Sequence, residues 1–122
     1  HRFRLRLGGL LMLPENITAV VARNETWTGA AATEPHEAGW AREAVIFVRA
    51  LKQPSGPQPK ARVEISPDGM HWLAEGSEFD MPAGKDAIAC ARVSHFGNWL
   101  RVAADFPDGS QSTVLVTIHM KA

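Results

Sequence analysis

The sequence predicts an all-β fold: a single antiparallel β-sandwich of seven to eight strands, with jelly-roll and Ig-like topologies both open. Three observations lead there. Several short runs alternate strictly between apolar and polar residues, the period-2 signature of half-buried strands. Pro67-Asp68-Gly69 and Pro107-Asp108-Gly109 punctuate those runs, and Asp-Gly between alternating runs is a strong hairpin signal. Turn residues recur at the short spacings expected of a sandwich or jelly roll.

Taken in order, residues 2–7 place Phe3, Leu5 and Leu7 on one side and Arg2, Arg4 and Arg6 on the other. That is a half-buried strand with a basic outer row. Gly8-Gly9 breaks it, and residues 10–13 continue it, so residues 1–13 are expected to form an N-terminal arm or edge strand of a single domain spanning 1–122. Residues 17–23, rich in β-branched side chains, form the next strand. Residues 25–40 are polar, rich in small residues and without a sustained period, and are expected to form a long loop or an irregular edge. Residues 45–48, Val-Ile-Phe-Val, favour a strand over a helix. The three prolines and one glycine within residues 52–59 require a loop.

From residue 61 the alternation is clear. Ala61, Val63 and Ile65 share one face; Lys60, Arg62 and Glu64 share the other. Pro67-Asp68-Gly69 turns the chain, with proline presetting φ and glycine taking the positive-φ position. Residues 71–74 return briefly, with Trp72 as a core anchor. Residues 82–86 turn again, and Glu78 and Asp80 are read as solvated between turns. Residues 87–93 form a strand of small side chains in which Cys90 is expected to be a buried structural thiol. Residues 99–106 place Leu100, Val102, Ala104 and Phe106 on one face, and residues 113–120 do the same with Val114, Val116, Ile118 and Met120. Pro107-Asp108-Gly109 is expected to join these last two strands as a hairpin.

Length and composition bound the function. A chain of 122 residues has the length of one domain and can bury a core without disulfide staples. Thirteen basic and thirteen acidic side chains leave no net charge, so neither nucleic acid nor a membrane surface is an expected partner. The charge is unevenly spread. Residues 1–62 hold nine basic and five acidic side chains, and residues 63–122 hold four and eight. Interleaving of the two halves in one sandwich would average this out; otherwise opposite faces of neighbouring copies would attract. With one cysteine, no intrachain disulfide can form. No apolar run approaches the ~20 residues needed to span a bilayer. The apolar run at 10–13 is short, ends at Pro14 and has no small-residue cleavage site after it, so it is read as mature structure and not as a leader.

Nothing in the chain spells out catalysis, and a noncatalytic protein with no cofactor and no metal is expected. Histidines 1, 36, 71, 95 and 119 show no ligand-pair spacing. No serine lies in a glycine-flanked elbow, and no glycine-rich phosphate loop occurs. Asn16-Ile17-Thr18 and Asn24-Glu25-Thr26 are formal glycosylation sequons, but a sequon acts only where a secretory pathway reads it, and these are taken as chance matches. Residues 66–72, Ser-Pro-Asp-Gly-Met-His-Trp, approach the S-x-D-x-G-x-x-W hairpin box of sialidases but lack one residue between Asp and Gly. Trp27, Trp40, Trp72 and Trp99 raise carbohydrate binding, because exposed indoles stack on sugars. Trp72 and Trp99 suit the core; Trp27 and Trp40, in the expected loop, are the interface candidates.

Residues 39–45, the proline-rich loop, residues 63–72, residues 96–102 and the closing 113–121 together resemble small β-sandwich structural proteins of phages and prophages, such as head-decoration and minor virion proteins. The 66–72 turn with its tryptophan is also similar, over one hairpin, to discoidin-type binding sandwiches. The first resemblance implies a structural assembly subunit of a virion that binds copies of itself or a capsid or other shell protein. Its expected interface is Arg2, Arg4, Arg6, Trp27 and Trp40. The alternative is a secreted or cell-surface carbohydrate-binding module whose platforms are the two exposed tryptophans.

Overall fold

The structure, a computed structural model, describes residues 16–122; the expected arm at 1–13, with Arg2, Arg4 and Arg6, lies outside the described residues. Nine strands follow in order: β1 (Asn16–Trp27), β2 (Ala30–Ala32), β3 (His36–Glu37), β4 (Glu43–Ala50), β5 (Lys60–Ser66), β6 (Leu73–Asp80), β7 (Ile88–Ser94), β8 (Trp99–Asp105) and β9 (Ser112–Lys121). They form two antiparallel sheets. One has the order β1-β9-β4-β7; the other has the order β2-β8-β5-β6, with β3 also pairing β8. Beyond β5–β6, successive strands pass from one sheet to the other, apart from the two short pieces β2 and β3, which both lie along β8. That wrapping is jelly-roll topology and excludes the Ig-like alternative.

Alternation builds the core as the sequence predicts. Ile46, Val48, Val114, Val116, Ile118 and Met120 from one sheet meet Ala61, Val63, Leu100, Val102 and Ala104 from the other, all with essentially no exposure. Facing rows of this kind fill the roughly 10 Å gap between packed sheets.

Four expectations are corrected or narrowed. Of the two forms expected for residues 25–40, the irregular edge is the one found and the long loop is not, because β1 runs on to Trp27 and the short strands β2 and β3 follow along β8. Register slips between Val20 and Ala22 and between Ala22 and Glu25 break the alternation within β1. As a result Val21 and Ala22 are both buried, and Asn24 takes a positive φ of 54°. A bulge of this kind adds a residue, bends the strand and hides its period. Second, β8 and β9 belong to different sheets, so Pro107-Asp108-Gly109 is an arch between sheets and not a hairpin. The hairpin is β5–β6. Third, Glu78 and Asp80 lie on strand β6, not between turns. Fourth, Cys90 is exposed. The inward phase of β7 is Ala91 and Val93, which leaves Cys90 on the outer face with Ile88 and Arg92.

Candidate assembly surface

Strand edges are where a jelly roll can be extended, and each open edge here has its own character. At one end of the four-stranded sheet, β1 carries the two register slips. In the other sheet, β2 and β3 are three and two residues long. Bulges and very short strands are devices that stop an edge from pairing with another chain. On the opposite flank, β7 pairs with β4 through seven consecutive residues without a slip, and it holds no proline or glycine. Strand β6 runs beside β7 at the border of the other sheet.

Acidic residues dominate the outer face of β6. Glu78 and Asp80 stand opposite Arg62 and Lys60 of β5, while Phe79 between them stands opposite the fully buried Ala61. Phe79 therefore points inward and packs on the core, whereas Glu78 and Asp80 point out. Lys60 Nζ donates to Asp80 Oδ1 at 3.0 Å. The Arg62 guanidinium is engaged elsewhere, with Glu64 at 2.8 Å and Asp105 at 2.9 Å. One apolar side chain is exposed at the start of each strand of this flank: Leu73 of β6 at 65% and Ile88 of β7 at 60%.

A charged cluster stiffens the middle of the five-stranded sheet. Glu64 is buried and accepts from Arg62 Nε at 2.8 Å and Arg101 Nε at 2.6 Å. Burial pushes its carboxyl up, but the two arginine hydrogen bonds together with their charge outweigh it and hold Glu64 below the ordinary carboxylate value. Arg101 also lies 4.3 Å from the centre of the Trp72 ring, a cation–π contact. Both carboxylate oxygens are occupied, so the cluster is a closed structural network.

The β5–β6 loop is organised by Asp68. Its Oδ1 accepts from the backbone N–H groups of Met70 and His71 at 2.8 and 2.9 Å, and the Ser66 hydroxyl bonds it at 2.9 Å. His71 Nδ1 sits 2.6 Å from Oδ2. Those bonds, the backbone donors first, hold the Asp68 carboxyl well below its usual range. Serine, aspartate and histidine thus meet, but in the wrong order for catalysis. Nucleophilic attack needs the imidazole between hydroxyl and carboxylate, whereas here the carboxylate lies between the other two. Among the described residues no group of three or more His, Cys, Asp or Glu side chains could hold a metal ion.

The tryptophans proposed from sequence separate. Trp27 is 3% exposed, packs edge-on against Phe106 with ring centres 6.5 Å apart, and donates from Nε1 to Glu25 at 3.2 Å. It is a core residue and offers no face to a sugar, contrary to its expected place in an exposed loop. Trp40 is half-buried against the core. Trp72 carries Arg101 on one face, and the α-carbon side of Gly69 closes on Trp99. The structure brings none of these tryptophans into one exposed platform. The acidic row of β6 and the flat edge of β7 were missed in the sequence, although Glu78 and Asp80 two apart and Arg92 two from Cys90 mark the outer phases of both strands.

No protein-family model matches the chain, and no curated protein matches it. Among solved structures it is similar to a subunit of the disulfide-linked pili that form Bacillus endospore appendages, at 13% identity over 88% of this chain and 86% of that chain, with a TM-score of 0.45. It is also similar to a chain of the infectious bursal disease virus Gx strain, at 11% identity over 90% of this chain and 32% of the other, TM-score 0.43. A third likeness is to dimeric latent PorU from Porphyromonas gingivalis, at 13% identity over 88% and 10% of the two chains, TM-score 0.31. Likenesses at this level stand beside the all-β fold and do not bear on chemistry or partners.

Proposed function

We propose that the protein is a noncatalytic structural subunit, a jelly roll that assembles with copies of itself or onto a larger shell through its open strand edges. The observation that carries this reading is the β7 edge, which borders its sheet, pairs with β4 without a slip, and leaves Ile88 and Cys90 exposed. Unpaired main-chain groups on a regular edge are a template for an added strand. In the narrower form of the proposal the larger body is a virion, the protein decorates its capsid, and residues 1–13 serve as an arm; a secreted or cell-surface assembly is the alternative setting. Jelly rolls serve both capsids and lectins, so the fold does not choose between assembly and sugar binding. The buried Trp27 and half-buried Trp40 weigh against the sugar-binding reading.

Sedimentation velocity of the chain over a hundredfold concentration range, alone and with candidate shell particles, tests the proposal. Concentration-dependent oligomers or co-sedimentation with a shell are expected. A chain that stays monomeric throughout and binds no shell overturns it.

A further inference from the structure

We infer that strand β7 of one copy pairs antiparallel with β7 of a second copy about a two-fold axis at Ala91, joining two four-stranded sheets into one continuous sheet. The inference rests on the assembly reading above and adds the partner and the register.

The main chain of β7 presents the bonds this needs. Ala50 donates to the Ala87 carbonyl at 3.1 Å, and Leu51 donates to the Thr113 carbonyl at 2.8 Å. Even-numbered residues of β4 therefore bond β7, and odd-numbered ones bond β9. Ala44, Ile46 and Val48 stand opposite Val93, Ala91 and Ala89, so the main-chain groups of those three β7 residues are committed to β4. By the alternation of an antiparallel ladder, the N–H and C=O groups of Ile88, Cys90, Arg92 and Ser94 point to the open edge. Strand β7 is the last strand of its sheet.

A strand added there has to be regular over the same length, or it leaves some of those groups unmet. Among the described residues, the other edges of a second copy fail this requirement. Strand β1 slips in register twice, and β6 slips once and carries Gly76 at a φ of 117°. Strands β2 and β3 are three and two residues long. The β7 edge of a second copy meets it, with seven residues, no slip, no proline and no glycine.

Side chains fix the register. With the axis at Ala91, Ile88 stands opposite Ser94 of the second copy and Cys90 stands opposite its Arg92. Both pairs exchange main-chain bonds, and every outward-pointing group of Ile88, Cys90, Arg92 and Ser94 is met on both copies. On the inner face Ala91 meets Ala91 and Ala89 meets Val93, small against larger, which extends the buried row of Ala91 and Val93. On the outer face each Arg92 faces a thiol, and its methylene stem lies diagonal to Ile88, which is 60% exposed in the single chain. Moving the axis to Arg92 sets two like charges directly opposite, which destabilises a strand pair. Moving it to Cys90 leaves Val93 and Ser94 without partners. The axis also draws the two β6 borders together, where Asp80 is already paired with Lys60. Remaining repulsion there is screened over about 8 Å at physiological salt. A two-fold contact of this kind is closed, so the unit of assembly is a dimer.

Sedimentation and cross-linking of full-length variants test this. In Arg92→Pro the lost N–H is one that β4 does not use, and edge strands tolerate proline at such positions. The natural chain is expected to dimerise. The proline variant, folded by circular dichroism, is expected to do so at least about tenfold more weakly, for the two N–H groups lost per dimer. Arg92→Cys places a thiol opposite Cys90 of the second copy, with about 5.5 Å between α-carbons, within disulfide reach. Ile88→Cys places one opposite Ser94 instead. Under mild oxidation a disulfide-linked dimer is expected from Arg92→Cys, and far less of it from Ile88→Cys or the natural chain. If the natural chain is monomeric and binds no shell particle, the assembly reading itself falls. If it is monomeric but binds a shell, that reading stands and the β7 pairing is wrong. Association of the proline variant within twofold of the natural chain places assembly on another surface and overturns the inference. So does cross-linking of Arg92→Cys no faster than that of Ile88→Cys or the natural chain. Should the proline variant fail to fold, Cys90→Arg takes its place, since it sets like charges across both outer pairs. Association weakened about tenfold is then the expected result, and unchanged association the refuting one.

Discussion

Replacing Trp27 by alanine separates a core tryptophan from a ligand platform. The indole is 3% exposed and meets Phe106 edge-on at 6.5 Å, so truncation removes most of a large buried side chain and one aromatic pair. Large-to-small changes of this kind cost about 3–5 kcal/mol, of which the ring pair supplies roughly 1. The Glu25 carboxylate, which accepts from Nε1, is only half-buried, so losing that donor adds little. With a urea dependence of about 1.5 kcal/mol/M for a domain of this size, a loss of 3 kcal/mol lowers the unfolding midpoint by roughly 2 M. The measurement is equilibrium urea unfolding followed by far-UV circular dichroism, with Trp27→Phe as a control expected to retain more than half of the lost stability. A midpoint drop below about 0.5 M in the alanine variant would show that the indole is not packed as described, and would reopen the reading of Trp27 as a surface platform.

Two further outcomes follow from the geometry. Glu64 is held below its ordinary value of 4.5 in the folded chain by Arg62 and Arg101 against the cost of burial. Its stabilising contribution is therefore complete above the unfolded value and is lost as pH falls through the lower folded one. Glu64→Gln should cost about 1–3 kcal/mol at pH 7, since both arginines keep some access to water. In urea titrations the gap between variant and natural chain should narrow from pH 5 to about pH 3; a gap that is constant or widens on acidification would contradict this account. Because Cys90 is exposed on β7, a water-soluble thiol reagent should modify one thiol per monomeric chain without denaturant, and a thiol that reacts only after unfolding would return Cys90 to the core.

Much of the fold was legible because β4 alternates throughout and β5, β8 and β9 alternate over most of their length. In β5, Ala61 and Val63 are buried while Lys60 and Arg62 face out and pair with acids. The hairpin at Pro67-Asp68-Gly69 was legible for a local reason, because Asp68 gathers the loop's own backbone donors. The candidate surface was legible in part. Two carboxylates two residues apart were visible, but their strand was hidden by the irregular pairing of β6 with β5 and by Gly76 at a φ of 117°. Cys90 was misjudged because Ile88 and Cys90 on one phase and Ala89 and Ala91 on the other make both phases of β7 look apolar; Arg92, two residues on, carries the phase.

What the sequence determines by itself is local. Its alternation sets which residues face in, its turns set where strands stop, and its lack of ligand and nucleophile spacing sets the noncatalytic expectation. The tertiary structure decided everything that depends on which strands become neighbours. Pro107-Asp108-Gly109 has the chemistry of a hairpin turn, yet the chain crosses there between sheets, because β9 finds its hydrogen-bond partners in β1 and β4. Trp27 lies in a stretch with no period, yet it is buried, because bulges in β1 re-aim it at Phe106. The physical reason is the same in both cases. A turn or an alternation is written within a few residues, whereas strand order and edge exposure are set by pairings between residues far apart in the chain, whose closure no local pattern records.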